Sequence, residues 1–268
     1  MKITLVPFAG LGNRLNAISS AIALRSAIDC DVTVYWESNA DCQCQFTDLF
    51  LPISDIPVLP LDKFYLIRRG KRFLCLPMLL RRFIFDGCFK ARKVWNSDFL
   101  LQPACSYQNV YVDANKRFCP LEETHMLSRF YRPTMELEER IEMVTALFHS
   151  YTVGVHIRRT DHKVVIAANP LDGFIKMMKK QMELHPACLF YIASDDETVK
   201  EQMRKLFPGR IITQPNVILS RNSVKGMKDA VVDLYTLART NLIIGSRGST
   251  YSDLASHLYD TPIEFINR

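Results

Sequence analysis

Between residues 150 and 260, four short apolar runs alternate with three stretches of helical periodicity, and that order restricts the segment to a parallel sheet wrapped by helices. The runs are residues 153–157, 188–193, 210–213 and 241–245, each short and apolar in the way of strands covered on both faces. Between them, one helical face carries Leu171, Phe174, Ile175, Met178 and Met182, a second Val199, Met203 and Leu206, and a third Met227, Val231, Leu234 and Leu237. The N-terminal half begins in the same way, with a strand over 3–8, a glycine-rich turn, a helix over roughly 13–28 and a strand over 32–36. After that Pro52, Pro57, Pro60 and Pro77 break the periodicity. A helical stretch over 135–149, with Leu137, Ile141, Val144 and Leu147/Phe148 inward, leads into the second half. At 268 residues and 48% apolar, the chain has room for two Rossmann-like domains, here expected as 1–130 and 131–268.

The most pointed motif follows the first run of the second half. Gly154-Val155-His156-Ile157-Arg158-Arg159-Thr160-Asp161 places two guanidiniums and an imidazole where a strand ends, which in open α/β sheets is where ligands bind. Arginine presents a planar fork of donors and a permanent charge suited to phosphate, so the pair suggests a phosphorylated ligand. The alternative is a surface arginine pair bridged to Asp161.

Three further groupings gather polar groups at helix starts or strand ends. Gly10-Leu11-Gly12-Asn13-Arg14-Leu15 lies between the first strand and the first helix, where missing Cβ atoms let a ligand approach backbone N–H groups. It departs from the dinucleotide fingerprint, which calls for glycine at position 15; Glu37 lies at about the distance of that motif's ribose-binding acid. Ser246-Arg247-Gly248-Ser249-Thr250 follows the last strand and opens a helix, reading either as a phosphate cradle or as an ordinary N-cap. Ser194-Asp195-Asp196-Glu197 ends another strand and reads either as a divalent-metal site or as a helix cap.

Charge and cysteine usage narrow the class of partner. Of a net charge of +6, the 63–93 segment alone carries ten basic residues against the single acid Asp86, and its charges are interleaved with Phe, Leu and Ile. Such a segment fits an amphipathic surface facing anionic lipid or an anionic acceptor, or else a solvated helical face with its apolar side in the core. The sequence contains no recognisable nucleic-acid-binding signature, no apolar stretch long enough to cross a bilayer and no signal-peptide layout at its start, so the expected location is cytoplasmic. The eight cysteines have no framework spacing, which points to reduced, mostly buried thiols. Cys42-Gln43-Cys44 could hold a soft metal but lacks a second pair at zinc-finger spacing.

Gly154 to Asp161, Ala193-Ser194-Asp195-Asp196, and Asp233-Leu234-Tyr235 followed by Ser246 to Thr250 together resemble the three ordered motifs of the fucosyltransferase superfamily. That superfamily includes the α1,6-fucosyltransferases, the rhizobial nodulation fucosyltransferases and the protein O-fucosyltransferases. The resemblance spans about residues 150–258, and Gly10-Leu11-Gly12-Asn13-Arg14 resembles the Gly-x-Gly-Asn turn of the O-fucosyl branch; residues 38–130 match nothing in it.

The resemblance implies an α/β GT-B enzyme, two Rossmann-like doubly wound domains facing a central cleft, with GDP-fucose as donor substrate, inversion at the anomeric carbon and neither metal nor other cofactor. Carried over residue by residue, it gives Arg158 the β-phosphate and the glycosidic oxygen, and gives His156 and Asp233 the nucleoside, with Asp233 reading the guanine edge. Ser246, Gly248, Ser249 and Thr250 would take phosphate oxygens, and Gly10, Gly12, Asn13 and Arg14 would contact the donor from the N-terminal domain. Arg159 is a further donor-side candidate, although strand alternation turns it away from Arg158. Asp195 and Asp196 become structural. Where the α1,6 branch carries a candidate catalytic glutamate ten residues after the motif histidine, this chain has Ile166. The base is then Asp161, His162 or a carboxylate of the N-terminal half, or else no strong base is needed. The expected acceptor is a glycan or glycolipid hydroxyl, in a bacterial enzyme working on a polysaccharide or glycan precursor at the inner membrane face. Two rivals stand beside this reading: a transferase for another nucleotide sugar, and a non-catalytic nucleotide- or glycan-binding member.

Overall fold

The computed structural model describes residues 1–61, 82–91, 107–119, 127–160 and 163–266. Asp161, His162 and most of the basic 63–93 segment lie outside the described residues. The chain forms two compact units, Met1–Arg132 with Arg221–Val224, and Pro133–Ser220 with Lys225–Arg268.

The first unit holds strands β1 (Lys2–Pro7), β2 (Asp31–Trp36), β3 (Val58–Pro60), β4 (Gly87–Ala91) and β5 (Asn109–Ala114) in the order β3-β2-β1-β5-β4. Every recorded pairing in it is parallel. Helix α1 (Leu11–Ala27) crosses from β1 to β2 and is buried on nearly every side from Leu11 to Leu24. Its polar residues are therefore partnered inside the protein: Ser19 bonds the Leu15 carbonyl and Tyr131 Oη, both at 2.8 Å, and Ser20 Oγ accepts the Phe118 N–H at 2.8 Å. Strands β3, β4 and β5 lie in the proline-broken region that the periodicity leaves unread.

The second unit repeats the plan with β6 (Thr152–Ile157), β7 (Leu189–Ser194), β8 (Ile211–Ile212), β9 (Leu242–Gly245) and β10 (Ile263–Phe265), ordered β10-β9-β6-β7-β8 and again parallel in every recorded pairing. Its helices are α2 (Met135–Thr145), α3 (Lys163–Ala168), α4 (Leu171–Leu184), α5 (Glu197–Leu206), α6 (Val224–Ala238) and α7 (Thr250–Tyr259). All six residues of β6 are buried. Gly154 has a packing reason, because a Cβ there would stand 2.8 Å from Thr240 Oγ1 and 3.0 Å from Leu237 Cδ2. One core of Val153, Val155, Ile157, Phe174, Met178, Phe190, Ile192, Val199 and Met203 fills one face of this sheet.

Two helix ends differ from the sequence reading. Leu206 is 48% exposed and Phe207 takes the inward place at 3%, because α5 stops at Leu206 and the non-helical backbone of Phe207 swings its ring onto Phe190. Helix α2 ends at Thr145 rather than 149, leaving Leu147 exposed while Phe148 packs on Tyr191. Among the described residues no helix is long and apolar enough to cross a membrane.

Candidate active site

The strand order of the second unit decides where a ligand can sit. From β6 the chain steps to β7 and β8 on one side, then to β9 and β10 on the other, so the topology reverses between β6 and β9. Because these strands are parallel, their carboxyl ends share one edge, and the crevice at such a reversal is where α/β sheets bind ligands. Arg158 follows β6, and Ser246 to Thr250 follow β9.

Hydrogen bonds within the unit brace that edge. Ser246 Oγ donates to the His156 carbonyl at 2.9 Å and accepts the Arg158 N–H at 3.2 Å. Asp195, at the end of β7, accepts the Arg159 N–H at 2.6 Å, the Thr160 N–H at 3.2 Å and the Thr160 hydroxyl at 2.6 Å. Asp196 caps α5 by accepting the Thr198 N–H at 2.9 Å. Arg159 donates to the Asn169 carbonyl at 2.9 Å. Fully buried Asn169 reaches the β9 loop as well, its Oδ1 accepting the Arg247 N–H at 2.7 Å and its Nδ2 donating to the Arg247 carbonyl at 3.1 Å.

Two of the candidates are spent on architecture. Ser246 is fully buried and uses its hydroxyl to tie β9 to β6, which holds the backbone of Arg158 rather than a ligand. Arg14 is 0% exposed, and its guanidinium serves the turn before α1. Its Nε donates to the Ala9 carbonyl at 2.7 Å, its Nη1 to the Glu37 carbonyl and its Nη2 to Asn39 Oδ1 at 2.8 Å, while the guanidinium lies over Trp36. Those bonds hold the turn into α1, where Ala9 sits at φ 67°, a region costly for any residue with a Cβ. Beside it Gly10 is the N-cap of α1 and Gly12 lies buried in its first turn, while Asn13 is half-buried.

One of the remaining candidates offers an unfilled valence. At the start of α7, Gly248 adopts φ +79° and turns the chain so that Ser249 and Thr250 begin the helix. Ser249 is 2% exposed, and its Oγ has no hydrogen-bond partner. A buried hydroxyl left unpaired costs about 1–3 kcal/mol, and here it stands beside first-turn N–H groups, which have no partner within their own helix. His156 is 8% exposed. Burial pushes its pKa down to about 4, so the ring is neutral at ordinary pH. Its Nδ1 lies 2.7 Å from Ser252 Oγ, which already accepts the Ser246 N–H at 3.1 Å. Where the hydroxyl proton of Ser252 goes to Nδ1, the imidazole carries its own proton on Nε2 and donates from there. Tyr251 packs against the imidazole at 4.8 Å between ring centroids.

Asp233 sits on α6, 7% exposed. Tyr191 Oη donates to its Oδ1. Burial pushes its pKa up to about 6 against the pull of Lys200, the Tyr191 hydrogen bond and Arg140, with Asp229 pushing further upward. Among the described residues no cluster of three metal-ligating side chains occurs. Cys42 and Cys44 are buried thiols with Sγ atoms 3.7 Å apart.

Sequence reasoning missed Asn169, Ser252, Tyr191 and Gln214. Each acts through a partner distant in sequence and carries no motif of its own.

No protein-family model matches this chain, and no curated protein matches it by sequence. Solved structures do. The fucosyltransferase NodZ from Bradyrhizobium superposes with a TM-score of 0.61 at 17% identity, covering 96% of this chain and 93% of that one. NodZ alpha-1,6-fucosyltransferase has also been solved after soaking with GDP-fucose, at a TM-score of 0.60 and 16% identity over 96% and 92% of the two chains. A mutant of Arabidopsis thaliana FUT1 in complex with GDP gives 0.67 at 14% identity, over all of this chain and 70% of that one. POFUT1 in complex with GDP gives 0.62 at 13% identity, over 100% and 98%. The chain therefore shares the α/β fold of these fucosyltransferases, with two parallel sheets.

Proposed function

We propose that this protein is a GT-B glycosyltransferase that transfers L-fucose from GDP-fucose to a hydroxyl of a glycan or glycolipid, with inversion and without a metal. The observation that carries the reading is the buried, unpartnered Ser249 hydroxyl at the start of α7, after the strand that neighbours the one Arg158 follows. A phosphate oxygen supplies what that hydroxyl lacks, and the helix N-terminus and the guanidinium supply the positive potential that a diphosphate needs. Similar folds solved with GDP or GDP-fucose support the choice of nucleotide.

In the proposed reaction an acceptor oxygen attacks the anomeric carbon of fucose while the bond from that carbon to the β-phosphate breaks. The electron pair of the breaking bond stays on GDP, where Arg158 and the α7 terminus meet the growing charge. The acceptor proton passes to a base or to water; Asp161 and His162 remain candidates for that base. Guanine is read by polarity: Asp233 accepts from N1–H and N2–H, and His156 Nε2–H donates to O6. Adenine reverses the first of these pairings. Docking of the basic 63–93 segment on anionic lipid, at the inner face of a bacterial membrane, belongs to the same proposal.

The direct test combines ligand-induced stabilisation with turnover. GDP should raise the melting temperature more than UDP or CDP at equal concentration, since a ligand specific to the native state stabilises by RT ln(1 + [L]/Kd). GDP-fucose should be consumed in the presence of EDTA. Stabilisation by GDP with no hydrolysis or transfer would assign the chain to nucleotide binding alone, and activity that EDTA abolishes and Mn²⁺ restores would overturn the metal-free mechanism.

Ser249→Ala separates ligand from fold at this site. Removing a hydroxyl that bonds nothing in the protein should leave the melting temperature unchanged or slightly higher, while GDP affinity falls by roughly tenfold, the worth of one hydrogen bond to a charged group. A melting temperature lowered together with unchanged GDP affinity would make Ser249 an ordinary helix cap.

A further inference from the structure

Asp233 is the end of a buried polar chain that draws on several elements of the second unit. Arg140 of α2 pairs with Asp229 of α6, itself 1% exposed and accepting the Ile218 N–H at 2.8 Å. Gln214, in the loop after β8 and 6% exposed, links Arg140 and the Asp229 backbone to the Asp233 carboxylate. With its amide oxygen turned to the guanidinium, it accepts from Arg140 Nη2 at 2.6 Å and donates to the Asp229 carbonyl at 3.1 Å and to Asp233 Oδ1 at 2.9 Å. That orientation is the one in which oxygen meets donors and nitrogen meets acceptors. Tyr191 of β7 adds the second donor to the same Oδ1.

Both protein donors thus converge on one oxygen of Asp233, and among the described residues no donor bonds Oδ2. Two bonds to Oδ1 fix the plane of the carboxylate and leave Oδ2 as the oxygen it can offer outward. A buried carboxylate is a poor way to stabilise a helix, so a network built to hold one in a single orientation points to a use for that orientation.

We propose that Tyr191 and Gln214, with Arg140 acting through Gln214, are positioning residues that set purine selectivity by holding Asp233 ionised and oriented toward the base. This rests on the reading of Asp233 as the guanine-binding acid. An ionised carboxylate accepts from the guanine N1–H and repels the lone pair on adenine N1. A protonated one can donate to adenine N1 and loses part of its hold on guanine. The charged and titratable groups facing Asp233 are Lys200 from α5, Asp229 from its own helix, Arg140 from α2, Tyr191 from β7 and Tyr251 from α7. Of these, the Tyr191 hydroxyl bonds the carboxylate directly and can be deleted without changing side-chain shape.

The experiment measures GDP and ADP affinity by calorimetry from pH 5 to 8 for wild type, Asp233→Asn, Tyr191→Phe and Gln214→Met, with melting temperatures as a check on folding. Wild type should lose GDP affinity as the pH falls through about 6. Removing a donor from a carboxylate raises its pKa, so in Tyr191→Phe the loss should set in at higher pH, and the GDP-over-ADP preference at pH 7 should fall by about tenfold. Gln214→Met, which keeps the side-chain length and removes the donor, should move both readouts in the same direction and serves if Tyr191→Phe does not fold. A role in packing alone would lower the melting temperature and leave the pH midpoint and the GDP-to-ADP ratio unmoved, and that result overturns the proposal. If Asp233→Asn itself binds GDP like wild type, the base-pocket reading fails; if Asp233→Asn loses GDP while the other two behave as wild type, only the positioning role fails.

Discussion

Arg158→Ala should turn GDP-fucose over on the order of 10²–10³ more slowly than wild type while keeping its fold and most of its donor affinity. The β-phosphate, already singly charged, gains further negative charge as the bond to fucose breaks, so the guanidinium gains most in the transition state, and interactions that tighten there raise kcat rather than lower KM. Arg158→Lys keeps the charge but loses the planar fork and should recover little. Arg158 is half-buried, and the bond recorded at its backbone, the N–H to Ser246 Oγ, survives either change. Arg159 provides the contrast. Its guanidinium donates to the Asn169 carbonyl, and Asn169 holds the β9 loop. Arg159→Ala should therefore lower the melting temperature, with any loss of rate following from the loosened loop. Steady-state kinetics and thermal melts on the three variants decide it, and near-normal kcat in Arg158→Ala removes the central residue of the mechanism.

Asp233→Asn should weaken GDP by about 2 kcal/mol, roughly thirtyfold, in a protein that still folds. The size of the effect follows from the neighbours. Tyr191 and Gln214 both donate to Oδ1, so the amide of the variant must put its oxygen there and its NH₂ toward the base. A donor then faces the donors N1–H and N2–H. The pH dependence should change with it: burial raises the acid to about 6, so wild-type GDP affinity is complete above that pH and falls as the pH drops through it. The asparagine variant should lose this step and keep only the dependence set by the terminal phosphate of GDP, which takes up its second proton at about pH 6. Calorimetry at pH 5.5 and 7.5 on both proteins is the check. Equal GDP affinity in a folded Asp233→Asn protein would remove the base pocket.

The parts of the site legible in the sequence are those that obey local rules. An apolar run followed by Arg-Arg marks a strand end, and hydroxyls after Gly248 mark a helix start; both features span a few residues. Even so, the sequence could not separate a phosphate cradle from an N-cap at Ser249, because that difference lies in whether its hydroxyl finds a partner. The structure leaves it buried without one. Strands β3, β4 and β5 escaped for a related reason: β3 is three residues long and ends in Pro60, and each runs among prolines and charges that blur a period of two. Their place beside β1 and β2 is set by sheet pairing, which no local window contains.

Period and order along the chain were enough to determine a parallel α/β architecture, because a buried strand and an amphipathic helix each write their burial into the spacing of apolar residues. The same spacing put Arg158 and the 246–250 turn at strand ends. Which polar side chains are free to meet a ligand was decided only by tertiary structure. Arg14 and Ser246 look in sequence like ligand contacts, yet three N–H groups of Arg14 go to the carbonyls of residues 9 and 37 and to Asn39, and the Ser246 hydroxyl goes to the carbonyl of residue 156. Nothing in the residues around Asp233 marks it as buried, yet it is 7% exposed and bonded to a tyrosine 42 residues away. Hydrogen-bonding capacity is a property of type and can be read from sequence; whether it is satisfied depends on what packs within about 3 Å, and here those partners come from other strands and helices.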